Sequence, residues 1–180
     1  MFSRYIGSFL ILMVSTIPVA HALSDKKWEN ISDIGVYSLL GTALALPAVR
    51  DDWEGTRQAG YSILLASGVT FVGKALINEE RPDKSDNDSF PSGHTTRAFA
   101  SATTLHRRYG WEIGFPAYAV ASLTGGARVA ADKHYWHDVL AGAAIGIASG
   151  WFFTDAYDDQ VQLTPWVDTQ GVGLNLTMYW

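Results

Sequence analysis

The sequence predicts an all-α fold, a bundle of about five helices with a functional site at one end and a short β-hairpin at the C-terminus. Three observations carry this prediction. Apolar stretches of helical length recur from Ile31 to Phe153, divided by breakers rich in glycine, proline and charge. Gly142, Gly146 and Gly150 stand four residues apart, a stripe along which another helix can approach closely. The tail then changes period: Val172, Leu174, Leu176, Met178 and Trp180 alternate with Gly173, Asn175, Thr177 and Tyr179, as in a strand.

Taken in order, residues 1–22 read as a signal peptide. Arg4 marks a short charged start, an apolar run extends from Ile6 to Val19, and Ala20-His21-Ala22 supplies a small-x-small cleavage site. An uncleaved membrane anchor is the alternative for this segment. The 180-residue chain carries a formal net charge of -5, and losing Arg4 makes it more acidic, which argues against a nucleic-acid partner. Cysteine is absent, so the fold stands without disulfides, and export to an oxidising compartment is permitted. Residues 23–158 then form one helical domain and 159–180 a hairpin tail, with no internal repeat.

The first helix is expected from about Ile31 to Val49, with Asp33 near its start, ending at the charged patch Arg50 to Glu54. The second covers about Gly60 to Glu80. The third runs from Ser92 to Tyr109-Gly110, the fourth from Pro116 toward Arg128, and the fifth from Trp136 to Phe153. Helices that alternate in direction bring Arg81, Ser92, Arg128 and Trp136 to the same end. The opposite end collects Arg50 to Arg57 and His106-Arg107-Arg108, read as solvated loops without a catalytic part.

Three stretches supply chemistry at the shared end. Within Ala127 to Asp138, His134 and Asp138 fall on one face if the segment is helical, so the carboxylate can fix the imidazole tautomer and leave one nitrogen free to attack. A solvated His–Asp pair is the plain reading of that spacing alone. Lys74 and Arg81 lie seven residues apart, two helical turns, before Pro82. Pro91-Ser92-Gly93-His94 opens a helix whose free N–H groups suit a phosphate oxygen.

Together the stretches resemble the type 2 phosphatidic acid phosphatase and vanadium haloperoxidase superfamily, whose signature is KxxxxxxRP, then PSGH, then SRxxxxxHxxxD. The resemblance covers residues 74–138 in the family's order, with two departures. Ala127 stands where the pattern has serine, and the link from Asp83 to Phe90 is short for the family, which implies little lid on that side. The resemblance implies a phosphatase in which His134 is the nucleophile, Asp138 orients it and His94 is the general acid and base. Lys74, Arg81, Arg128, Ser92 and the Gly93 N–H would bind phosphate, and neither metal nor cofactor would be needed.

Other features have plainer readings. Asp83, Asp86 and Asp88 lack the glycine and closing glutamate of a calcium loop and read as a solvated loop. His137 reads as a neighbour without a catalytic part and Arg97 as a salt-bridge residue, while Tyr135 and Trp136 could wall the leaving group. The polar, short third helix weighs against a membrane bundle, so the sequence favours a soluble or peripherally bound periplasmic protein over an integral one. The tail resembles the last strand of an outer-membrane barrel, but one hairpin cannot close a barrel, and packing against the bundle is expected.

The substrate stays open between a lipid phosphate or diphosphate at the outer face of the inner membrane and small soluble phosphomonoesters. A noncatalytic envelope interaction protein is the reading from another class, which the intact motifs oppose. Vanadate-dependent halide oxidation is a lesser enzymatic option.

Overall fold

The protein is described by a computed structural model covering residues 23–157, 161–168 and 171–178. The expected signal peptide lies outside the described residues. Five helices follow in order: α1 (Asp25–Val49), α2 (Trp53–Leu76), α3 (Gly93–Tyr109), α4 (Trp111–Ala130) and α5 (Trp136–Phe153). The antiparallel hairpin of β1 (Val161–Asp168) and β2 (Gly171–Met178) completes the chain. The all-α expectation with a terminal hairpin holds.

Four helix boundaries differ from the sequence reading: α1 starts at Asp25, six residues before Ile31, and the other three have local reasons. α2 starts early because the Asp52 carboxylate accepts the Gly55 N–H at 2.9 Å and caps it. It also stops four residues before Glu80. Ile77 turns extended, and Glu79 bridges to Asp88 while its carbonyl accepts the Ser89 N–H at 3.0 Å. α4 begins at Trp111, directly after Gly110, whose φ of 80° is costly for any residue with a Cβ. Pro116 therefore sits inside α4 and not at its first position.

At the end remote from the site Arg50, Asp51 and Arg57 are exposed as expected, but Asp52 and Arg108 are not solvated. Arg108 and Asp52 are both buried, and the guanidinium grips the carboxylate through Nε at 2.7 Å and Nη2 at 2.5 Å. The Tyr109 hydroxyl donates to the same carboxylate at 2.8 Å, and Arg108 Nη1 reaches the Asp155 and Ala156 carbonyls, both at 3.2 Å. Burial of two charges demands this level of pairing, because a lone charge in that place would cost several kcal/mol.

α3 is the centre of the bundle and touches each of the other four helices. Its buried face is built from Ala98, Ala100 and Ala102 with Thr95, Thr96, Ser101, Thr103 and Thr104. Small side chains let the neighbours come close. Along α5, a Cβ on Gly142 would meet the Ser92 carbonyl at 2.7 Å, one on Gly146 the Thr96 carbonyl at 2.4 Å, and one on Gly150 the Thr103 Cβ at 2.5 Å. The glycine stripe is thus a backbone-to-backbone seam, as the sequence predicts.

That central place also changes what the polarity of α3 means. The other four helices cover it, so it never has to face lipid. Large apolar side chains instead point outward from the surrounding helices: Leu64, Phe71, Phe115, Leu140 and Phe152 are each about two-thirds or more exposed. α1 and α2 are long and apolar enough to cross a membrane. The hairpin adds to the outward apolar surface, since Val172, Leu174 and Leu176 are exposed rather than packed on the bundle as expected.

Candidate active site

Each motif is delivered by a helix end. α2 ends beyond Lys74, α3 begins after Ser92, α4 ends beyond Arg128, and α5 begins just after His134. The N-terminal turns of α1 reach the same end, because Asp33 meets His94 and Glu29 meets Lys133.

His134 and Asp138 do not share a helix face as the sequence reading supposes. His134 lies in the turn before α5, and Asp138 is the third residue of that helix, where its Oδ2 accepts the Tyr135 N–H at 2.9 Å. This is the acidic half of a capping box, so one carboxylate both starts the helix and faces His134. Asp138 Oδ2 stands 3.5 Å from His134 Nδ1, longer than a good hydrogen bond. Ser89 fills the gap: its hydroxyl donates to Asp138 Oδ2 at 2.5 Å and lies 3.5 Å from His134 Nδ1. All three residues are buried. With Nδ1 on this side, Nε2 is the ring nitrogen turned away from Ser89 and Asp138.

Burial, together with the positive charges of Arg128, Lys74 and Arg81, pushes the His134 imidazole down to about 3, against the opposing pull of Asp138. The ring is therefore neutral, with a free lone pair, at any physiological pH.

The cations are arranged around it. Arg81 comes from a loop rather than from the helix of Lys74, and Asp88 brings the two together. Arg81 Nε donates to Asp88 Oδ1 at 2.9 Å, while Lys74 Nζ donates to the Asp88 carbonyl and stands 3.5 Å from Oδ2. Arg128 is buried, and its Nε has no acceptor among the described residues. Arg97, expected in a salt bridge, likewise keeps a buried Nε without an acceptor. Two guanidinium groups held short of partners favour an incoming anion.

Ser92 and Gly93 mark the start of α3. The Ser92 N–H donates to the Asp138 carbonyl at 3.1 Å, which fixes the two motifs against each other across the glycine seam. Its Oγ accepts from the Thr95 hydroxyl at 2.9 Å and makes no cap bond, so its own proton is available to a phosphate oxygen. His94 Nε2 donates to Asp33 Oδ1 of α1 at 2.9 Å.

The short loop after Arg81 covers more than expected. Asp83, read as solvated, pairs with Lys133 at 2.6 Å, and Lys133 also meets Glu29 of α1 at 3.0 Å. Although burial works against it, hydrogen bonds from Lys133 and Ser85 hold Asp83 well below the usual carboxylate range. Loop, α1 and the turn carrying His134 are thus tied together. A separate group, Glu79, His137 and Asp138, has the residue types and spacing that could hold a metal ion.

Sequence reasoning missed Ser89, Asp88 and Asp33. Only Asp33 left a usable signal, since alternation of the helices puts the start of α1 at the motif end.

Comparison with known proteins bears on this site. The sequence model of the PAP2 superfamily matches residues 55–162. A lipid A 1-phosphatase of Porphyromonas gingivalis is 43% identical over 90 residues, which are 48% of this chain and 20% of that protein. This chain thus matches about a fifth of the length of that relative. Undecaprenyl-diphosphatase BcrC of Bacillus subtilis is 32% identical over 152 residues, 73% of this chain and 74% of that protein. The crystal structure of Aquifex aeolicus LpxE superposes with a TM-score of 0.62 at 27% identity, covering 71% of this chain and 83% of that one.

Proposed function

Because the chain belongs to the PAP2 superfamily and is a phosphatase of that family, we propose that it hydrolyses a lipid phosphate or diphosphate through a phosphohistidine, without a metal ion. The observation that carries this reading is the buried Ser89–Asp138–His134 group facing Lys74, Arg81 and Arg128. A neutral imidazole beside three cations is chemically an attacking group beside a phosphate seat.

His134 Nε2 attacks phosphorus as the bond to the leaving oxygen breaks, and Asp138 balances the charge that the imidazole gains. Lys74, Arg81 and Arg128 take the equatorial oxygens, helped by the Ser92 hydroxyl and the Gly93 N–H. His94, taken up as an imidazolium that keeps its Nε2 proton on Asp33, gives the Nδ1 proton to the departing oxygen and is left neutral. Water then attacks phosphorus, His94 takes a proton from it, and the N–P bond breaks to release phosphate.

The outward apolar side chains favour a lipid substrate and a bundle set in the membrane. α1 and α2, with 25 and 24 residues, are each about 36 Å long, enough to cross a hydrocarbon core of about 30 Å. Export of the chain through a signal peptide would leave the start of α1, and with it the site, on the periplasmic side. The relatives named for lipid A and undecaprenyl diphosphate agree with a lipid-linked phosphate.

The test is turnover of the purified chain in detergent micelles with chelator present, against phosphatidate, a polyprenyl diphosphate and a soluble aryl phosphate. Lipid substrates should be preferred, and acid-labile phosphoenzyme should form in the native chain but not in His134→Ala. Dependence on added metal, or undiminished phosphohistidine in His134→Ala, would overturn the mechanism. Preference for the soluble ester would overturn the lipid assignment alone.

A further inference from the structure

Asp138 Oδ1 is the unexplained atom of the site. The residue is fully buried, its Oδ2 is taken by Ser89 and Tyr135, and yet Oδ1 accepts no hydrogen bond from the described residues. It faces the His137 ring, whose Nε2 lies 3.1 Å away but is aligned on Glu79 Oε1 at 2.7 Å. One ligand atom from each of Glu79, His137 and Asp138 falls within 4.8 Å of the other two.

We propose that Glu79 Oε1, His137 Nε2 and Asp138 Oδ1 form an inhibitory zinc site. Three protein ligands at about 2.0 Å from a tetrahedral ion lie about 3.3 Å apart. The two separations from His137 Nε2, 2.7 Å to Glu79 Oε1 and 3.1 Å to Asp138 Oδ1, need only a small opening to match that spacing. The fourth position is left to water. Two carboxylates and a neutral imidazole balance the charge of a divalent ion, and the nitrogen ligand selects zinc over magnesium or calcium, which prefer all-oxygen shells.

The ligands are positioned and reachable. Glu79 is held by its bridge to Asp88, and its carbonyl accepts the Ser89 N–H. The His137 ring lies between Phe90, at 6.2 Å, and Tyr135, stacked at 5.3 Å, while remaining 57% exposed to arriving ions. The two ring contacts limit its rotation.

Inhibition follows from sharing Asp138. A carboxylate bound to zinc has less charge to offer the imidazole of His134, and the ion adds positive charge behind the nucleophile just when that ring must become cationic. The site thus gives an envelope phosphatase a response to free zinc. This inference rests on the phosphohistidine reading for its effect on turnover, but not for binding.

The experiment therefore reads both. Equilibrium dialysis of the full chain in micelles against zinc alone should give one ion per chain, with affinity reduced at least about 10-fold in His137→Ala and in Glu79→Gln. Phosphatase activity should fall with bound zinc and return on chelation. His137→Ala should work normally in zinc-free buffer and resist zinc, while magnesium and calcium should leave the native chain unaffected. No zinc retained by the native chain, or equal zinc sensitivity in native and His137→Ala proteins, would overturn the site. Zinc bound at full turnover would refute inhibition. A chain that binds zinc but has no phosphatase activity would leave the site standing and remove the proposed function.

Discussion

Replacing Ser89 by alanine removes the 2.5 Å hydrogen bond to Asp138 Oδ2 and a hydroxyl 3.5 Å from His134 Nδ1. The acceptor is a fully buried carboxylate whose other oxygen has no hydrogen bond among the described residues, so solvent cannot replace what is lost. Hydrogen bonds to charged groups contribute about 1.5–3 kcal/mol. If the bond serves to hold Asp138 for the transition state, phosphoenzyme formation in Ser89→Ala should slow by about 10- to 160-fold. The assay is rapid-quench single turnover in micelles, with thermal unfolding measured alongside. Asp138→Asn supplies the control, because the serine then faces an uncharged partner. The double variant should be little slower than Asp138→Asn alone. A native rate in Ser89→Ala, or losses that simply multiply, would refute the assignment of Ser89 as the group that positions Asp138.

Three further outcomes are expected. His94→Ala should slow phosphoenzyme formation from an alkyl phosphate by about 10²-fold or more and from an activated aryl ester by clearly less, in single-turnover measurements; equal losses would reduce His94 to a phosphate ligand. The His134 imidazole, lowered from 6.5 to about 3, should remain neutral at pH 5 by nitrogen NMR. Its neutral form is the one the fold favours, so its contribution to stability is complete above about 6.5 and is lost as pH falls toward about 3, a slope that His134→Gln should reduce. Gly146→Ala places a methyl 2.4 Å from the Thr96 carbonyl and should cost about 1–3 kcal/mol, seen as a lower Tm; an unchanged Tm would mean that α5 does not sit on α3 as described.

The gathering of Lys74, Arg81, Ser92, His94, Arg128, His134 and Asp138 at one end was legible because it needs only helices that alternate and motifs placed at their ends. Gly142, Gly146 and Gly150 were legible for a similar reason, since a spacing of four residues has one geometric meaning on a helix. Ser89 was hidden because nothing local distinguishes it from Ser85, and its role arises from Asp138, 49 residues away. Asp88 reads as solvated because its loop lacks the glycine and closing glutamate of a calcium site, and nothing local points to Lys74 and Arg81 as its partners. The polarity of α3 misled for a more general reason. Polar composition says that a helix avoids lipid, but not whether it escapes into water or into the middle of other helices. Asp52 and Arg108 failed likewise: charge alone reads as surface until the partner is known.

The Asp52–Arg108 pair fixes one tip of α3. It joins the turn between α1 and α2 to the end of α3, and Arg108 also holds the chain that leaves α5. The opposite tip of α3 is fixed in its turn, by the Ser92 N–H on the Asp138 carbonyl, and the glycine seam holds α5 along the length between. A helix of 17 residues clamped at both ends and down one side acts as a strut. It keeps Ser92 and His94 in place before any phosphate arrives, so the cost of ordering that side of the seat falls on folding and not on binding.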